Sequence, residues 1–297
     1  MELTVGPLQF FWPAERWRAF HLGLAEAPVA RVVLGELVCS KRAPFIVPHL
    51  PEAIEALTAA GKAVTVASLA LITLKRERRM AAALAEAGAV VEVNDLTMLA
   101  YLPEGAAFAV GPLVNVYNEG TLRTLAARGM TRICLPPEVP LSAIGPIAAA
   151  AADLGVAVEV WGWGRAPLAI SGRCYHARLA GRAKDDCRFV CEEDPDGREV
   201  ADLDGRDFLA INGVQTVSHG YVTAAAHLED LRAAGVAALR LSPHSGDFHG
   251  VIRAFRRALD EGLDRASAQQ AIATASAGRP LVGGFLEGAP GATALAE

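Results

Sequence analysis

Three cysteines, Cys174, Cys187 and Cys191, stand in a C-x12-C-x3-C pattern, and a fourth, Cys39, lies far upstream at the end of an apolar run. The fifth, Cys134, is enclosed in Ile133-Cys134-Leu135 and reads as a small buried hydrophobe of the core. Four thiolates in one closed site suit either a zinc ion or a [4Fe-4S] cluster. Zinc sites usually come from paired C-x2-C knuckles on a short ribbon, and the spacing here is looser. A cluster spans a larger volume than one ion, so ligands on distant loops are easier to accommodate. The other reading is that three loop cysteines and one rim cysteine merely coexist. It is weaker, because reactive exposed thiols without a role are disfavoured.

The surroundings suit an anionic centre. Arg165, Arg173, Arg178, Arg182, Lys184 and Arg188 flank the three clustered cysteines, and cations stabilise thiolates and raise a cluster's potential. Asp185, Asp186, Glu192 and Glu193 in the same stretch offset several of them as ordinary surface charge.

These residues need a scaffold. The chain has 297 residues, 52% hydrophobic and 21% charged, enough for one large α/β barrel or two modest domains. Strand-like runs fall at 3–8, 31–38, 63–68, 90–93, 108–116, 132–135, 156–161 and 237–241. Helical segments fall at 14–27, 50–60, 75–87, 95–102, 119–128, 142–154 and 248–261, several stopped by a glycine. About eight β/α units argue for a (β/α)8 TIM-type barrel over residues 1–288. Residues 162–219 break the rhythm as a cysteine-bearing insertion, with one strand-like run at 208–214. An insertion after a barrel strand falls on the C-terminal face, where barrel active sites are built. The Gly/Ala/Pro-rich tail 289–297 reads as disordered.

Composition limits the partners. Net charge is -5 and pI is near 5.8, which argues against a DNA binder or other dedicated nucleic-acid binder. The mean hydropathy of +0.28 raises a membrane question, yet the uncharged run 63–74 is too short to span a bilayer, so no transmembrane segment is expected. The sequence does not open on a basic-then-apolar leader, and a reducing cytoplasm is the expected location.

Other candidates sit where strands should end: Glu36, Ser68, Asn94, Asp95, Asn115, Tyr117, Asn212, Gln215 and His244. Asn115 and Tyr117, at and just past the end of the expected strand 108–116, alternate on one face and would point into the barrel mouth together. Asn94 and Asp95 read as helix caps. Glu36, in an apolar strand three residues before Cys39, is either a proton relay or the partner of an arginine. His244, at a strand end, is a candidate for touching substrate. Gly162-Trp163-Gly164 is no dinucleotide fingerprint, because the third glycine is missing.

The runs Gly35-Glu36-Leu37-Val38-Cys39-Ser40-Lys41-Arg42, Gly111-Pro112-Leu113-Val114-Asn115-Val116-Tyr117-Asn118 and Ser171-Gly172-Arg173-Cys174 resemble the collagenase-like peptidase family over nearly the whole chain. Within it, the pattern is most similar to the UbiV branch, accessory proteins of oxygen-independent ubiquinone biosynthesis. One departure sharpens this. Other branches carry a cysteine in a Gly-Ala-x-Cys context, and Pro167 stands at that place in Gly164-Arg165-Ala166-Pro167. The resemblance implies a barrel-like fold and a [4Fe-4S] cluster held by Cys39, Cys174, Cys187 and Cys191. It also implies a heterodimer with a UbiU-like partner, in which the pair hydroxylates a ubiquinone precursor without O2 and takes the oxygen from prephenate. Two alternatives are a prephenate-dependent tRNA hydroxylase-type protein and a zinc-stabilised binding module without chemistry. Peptidase activity is not expected, for neither Ser-His-Asp spacing nor H-E-x-x-H is present.

Overall fold

A computed structural model describes residues 1–294. Seven strands come first: β1 (Glu2–Val5), β2 (Arg31–Leu34), β3 (Ala63–Ala67), β4 (Val91–Val93), β5 (Phe108–Val110), β6 (Met130–Cys134) and β7 (Ala157–Ile170). Each is parallel to the next. After β8 (Arg198–Ala201), β9 (Asp207–Asn212) and β10 (Gln215–Thr223), β11 (Ala238–Leu241) pairs in parallel with both β7 and β1. That closure makes an eight-stranded parallel α/β barrel of the TIM type.

The helices are α1 (Ala14–Gly23), α2 (Ala43–Ile46), α3 (Leu50–Ala59), α4 (Lys75–Glu86), α5 (Glu119–Ala126), α6 (Leu141–Asp153), α7 (Tyr175–Leu179), α8 (Leu228–Ala233), α9 (Phe248–Glu261) and α10 (Arg265–Ala275). α9 shows why such segments fold locally. Its buried face is Phe248, Val251, Ile252, Phe255 and Leu259, at helical spacing, and the Asp247 carboxylate accepts the Gly250 N–H at 2.7 Å to cap its start. Gly262, at φ 63°, ends it in the left-handed region. Truncating Phe255, which is fully buried, would cost about 3–5 kcal/mol.

The barrel interior is ionic as well as apolar. Arg240 on β11 donates to Glu159 on β7 at 2.6 Å and lies 2.7 Å from Glu92 on β4. Arg132 and Thr4 bind the other oxygen of Glu159, each at 2.9 Å. β4 and β11 are not neighbours in the sheet, so Glu92 and Arg240 meet only across the barrel.

The insertion grows from β7, which runs 14 residues and outlasts the barrel. Its outer half pairs antiparallel with β10, which pairs with β9 and then β8. Gly164, at φ 123°, lets β7 pass the barrel rim, because a Cβ there would lie 2.6 Å from the Cβ of Ser242. The run expected as one strand at 208–214 is in fact β9 followed by the tight turn at Gly213 and Val214, and β10 begins just beyond it.

Two further expectations change. The strand expected over 108–116 stops at Val110: Pro112 has no N–H for a ladder, and Pro112–Val114 forms a 3-10 turn ending at Asn115 with φ 60°. Of the tail 289–297, residues 295–297 lie outside the described residues. The rest folds back, with Ala294 bridged to Val282 of β12 (Leu281–Val282), which pairs with β10. Among the described residues, no helix is long and apolar enough to cross a membrane.

Candidate metal centre

Cys39, Cys174, Cys187 and Cys191 line one small cavity at the C-terminal end of the barrel, together with Lys41, Arg42, His176, Lys184 and Gly213. Three separate pieces of chain bring them there. Cys39 follows β2, and its loop is tied down by Glu36, whose Oε1 accepts the N–H groups of Val38 at 2.7 Å and Cys39 at 2.9 Å. Cys174 caps α7, its sulfur accepting the Ala177 N–H at 3.4 Å. Cys187 and Cys191 flank a sharp bend in which Arg188 and Phe189 both take positive φ, 46° and 54°. Such backbone persists only where its surroundings hold it. The Phe189 ring supplies that hold by packing on Phe45 and Phe11 at 5.0 and 5.7 Å between centroids.

Arg42 is the cation of the site, and only 1% of it is exposed. It lines the cavity with Cys39 and Cys191, and the charges of those thiols and of Glu36 favour its cationic form. Its other contacts are the Gln9 carbonyl at 3.0 Å and the Asn212 side-chain oxygen at 2.9 Å. Gly213 must be glycine here: its φ is 64°, and a Cβ would come within 2.6 Å of the guanidinium. Lys41 crosses to the insertion and donates to the carbonyls of Lys184 and Asp185 at 2.9 and 3.1 Å. Burial pushes the Cys39 and Cys191 thiols up, and Arg42 opposes that in both. Cys134 is separate, sealed in the core, with burial driving its thiol far above the ordinary value.

The donor set fits an iron–sulfur cluster. The four thiols are free of disulfides. Leu37, Val38, Ala177 and Val214 form an apolar shell around Cys39, Cys174 and Cys187, and the cations are placed to offset the charge of thiolates. Among the described residues, no group of three or more His, Cys, Asp or Glu is placed to hold a single metal ion as it stands. The thiols share a cavity rather than a point. A tetrahedral zinc site would draw its sulfurs to roughly 4 Å from one another, given a Zn–S bond near 2.3 Å.

The sequence pattern of peptidase family U32 matches residues 16–295. The chain belongs to peptidase family U32. Its barrel is also similar to solved structures of low identity. A dihydropteroate synthase from Thermus thermophilus is 18% identical, with 88% of this chain and 93% of that one covered at a TM-score of 0.44. A putative fructose-1,6-bisphosphate aldolase from Coccidioides immitis is 12% identical, with 92% and 86% covered at 0.42.

In this U32 chain the two nitrogens of His176 are both engaged. Nδ1 accepts the Gly213 N–H at 3.4 Å, and Nε2 faces Asp194 at 2.8 Å. His176 therefore offers no free nitrogen to a neighbouring thiol, as a cysteine nucleophile would need. Of the six expected cations, Lys184 lines the cavity and Arg182 donates to the Cys187 carbonyl at 3.3 Å. Arg165 turns away to Glu199 and the Ser218 carbonyl, and Arg173, Arg178 and Arg188 are exposed.

The other candidates of the U32 chain separate by environment. Asn212 and Gln215 join Gln9 in a buried network: Gln215 Nε2 donates to Gln9 Oε1 at 2.6 Å, and Gln9 Nε2 to Ser242 at 2.8 Å. That chain of contacts runs from Arg42 to Ser242 on the barrel rim. Asn115 and Tyr117 do not share a strand face, because the strand has already ended. Both are exposed, and Tyr117 donates to Glu138 at 2.5 Å. Ser68 accepts the Asn94 N–H at 2.9 Å, and Asn94 turns to Glu92 rather than capping. Asp95 caps the following 3-10 turn through the Thr97 N–H at 2.8 Å. His244 is buried among Trp163, Tyr221 and Phe248 with neither ring nitrogen bonded.

Gln9, Lys41, Arg42 and His176 are the site residues that sequence reasoning missed. His176 lay in plain reach, two residues after Cys174. Arg42 was visible only as the end of a motif, with nothing in its spacing to say that it would be buried.

Proposed function

We propose that this U32 chain holds a [4Fe-4S] cluster on Cys39, Cys174, Cys187 and Cys191. It works in the cytoplasm as a heterodimer with a UbiU-like partner, in O2-independent hydroxylation of ubiquinone precursors with prephenate as the oxygen donor. The observation that carries the cluster is the single cavity lined by four thiols from remote segments, with a buried guanidinium beside them. Arg42 offsets thiolate charge, Glu36 fixes the backbone of Cys39, and Lys41 ties the two loops together. When bound, such a cluster supplies one-electron transfer or a Lewis-acidic iron. The partner, the substrate and the oxygen donor rest on the resemblance to the UbiV branch, and the anionic chain, with its net charge of -5, favours that reading over tRNA.

The test is anaerobic purification with iron and sulfide counting. About four irons per chain are expected, with visible charge-transfer absorbance. Full iron retained in the double variant Cys39→Ala, Cys174→Ala would remove the ligand assignment. One zinc and no iron would establish the binding-module alternative instead. Co-purification of a UbiU-like chain, and hydroxylation by the pair under nitrogen with prephenate, test the remainder.

A further inference from the structure

A second cavity lies outside the barrel, between α4 on one side and α2 and α3 on the other, over the ends of β2 and β3, with a volume of about 280 Å³. It follows α4 from Glu77 to Ala87, which at the helical rise is about 15 Å. Small side chains leave this groove open: Ala81 is its buried floor on α4, and Ala83 and Ala87, the residue just past the helix, form its exposed rim. The groove opens to solvent along Val47, Ala83 and Ala87, and covering an apolar lining of this kind with an apolar chain is favourable.

Its polar groups gather at one end. Glu36, Ser68 and Glu77 line that end, and aliphatic side chains and alanines line the rest. Glu77 is fully used, with Oε1 on Ser40 and Oε2 on Thr73 and Leu74. Ser68 accepts from Asn94 and donates to Leu69. Glu36 is buried and spends only Oε1, on Val38 and Cys39. Its Oε2 is the spare acceptor. The Glu77 carboxylate, held ionised at the same end by its hydrogen bonds, disfavours an anionic head such as that of a fatty acid, and the spare acceptor asks for a donor.

We infer that this cavity binds an amphiphile with an apolar chain along α4 and an uncharged hydroxyl head donating to Glu36, beside the Cys39 loop. The inference deepens the proposed function, since a polyprenylated phenol has this form, and its cavity argument stands without the cluster. The same Glu36 carboxylate that fixes Cys39 would then receive the head, so chain binding and the cysteine centre share one residue.

The test is equilibrium dialysis of the purified full chain with 2-farnesylphenol, alongside phenol and shorter-chain 2-alkylphenols. Saturable binding of one probe per chain is expected, with affinity rising about fourfold per added methylene and phenol alone not binding. Ala83→Trp and Ala87→Phe fill the channel from within α4 and from the residue that ends it. Each should weaken binding at least tenfold while leaving the iron content and the circular-dichroism melt unchanged. Absence of saturable binding to the wild type overturns the inference. So does equal affinity in both filled variants, which would leave the cavity to the side chains of a protein partner. Probe binding by a chain that holds no iron would support this site while removing the cluster reading, so the two fail separately.

Discussion

Arg42 donates to the side-chain oxygen of Asn212 at 2.9 Å, across 170 residues of sequence, and in doing so pins the Cys39 loop to the insertion that carries the other three cysteines. The same guanidinium donates to the Gln9 carbonyl and lines the thiol cavity beside Cys191. One buried cation thus joins the barrel rim, the thiol cavity and the turn between β9 and β10.

Replacing Arg42 by leucine should therefore act on both stability and metal content. The change leaves the Asn212 oxygen and the Gln9 carbonyl without that donor, and breaking a buried charged contact costs about 3–5 kcal/mol. Urea unfolding of Arg42→Leu should show a loss of that size, and iron content after anaerobic purification should fall. A variant within about 1 kcal/mol of the wild type, with full iron, would mean that Arg42 is not the joint described.

Cys134 should behave unlike the other four. It is 1% exposed, and burial drives its thiol far above the ordinary value, so it offers almost no thiolate. Mass spectrometry of the native metal-free protein alkylated near pH 8 should find Cys134 unmodified and label on the half-exposed Cys39 and Cys187. Cys134→Ala should keep full iron. Prompt labelling of Cys134 would contradict its place in the core.

The barrel was legible because its strands are short apolar runs separated by glycine-stopped helices, and α9 follows its apolar spacing without deviation. The insertion was not, for physical reasons. β8 is Arg-Glu-Val-Ala, an edge strand exposed along most of its length, and it carries almost no alternating signal. The hairpin between β9 and β10 did carry a signal: Asn212-Gly213 is a turn pair, and reading through it as strand hid the turn and left β10 unseen. The four cysteines were legible as a set because their chemistry is distinctive. Gln9 and Arg42 were not, since ordinary polar residues become site residues only when the fold buries them beside a thiol.

Glu159 makes the barrel interior acid-sensitive. Burial alone would raise its carboxyl, but Arg240 and Arg132 outweigh that and hold it below the ordinary 4.5. A depressed carboxyl contributes stability that is full above its unfolded value and is lost as pH falls through the lower folded value. Glu159→Gln leaves Arg240 and Arg132 short of a counter-charge and should cost about 3–5 kcal/mol at pH 7. The gap between variant and wild type in denaturant melts should narrow below pH 4. A gap that is constant from pH 7 to 3 would show that the ion cluster does not titrate with folding.

Two histidines set a separate window at milder pH. His21 is fully buried against Trp17, its Nδ1 on the Trp17 carbonyl at 2.7 Å, and burial lowers it from 6.5 to about 4. Burial also lowers His244 to about 3, helped by Arg279, Arg165 and Arg16 and opposed by Asp196. Both are neutral in the folded protein and charge freely once unfolded, so their contribution is complete above the unfolded value and drains away as pH falls below it. Between pH 7 and 5 each should remove about 2 kcal/mol of stability. This lies above the range in which Glu159 titrates, so the two effects separate. Urea melts of the wild type should lose about 4 kcal/mol over that interval, and those of His21→Leu, His244→Phe less than half as much. A wild type equally stable at pH 7 and pH 5 would mean that these imidazoles charge as readily inside the fold as outside it.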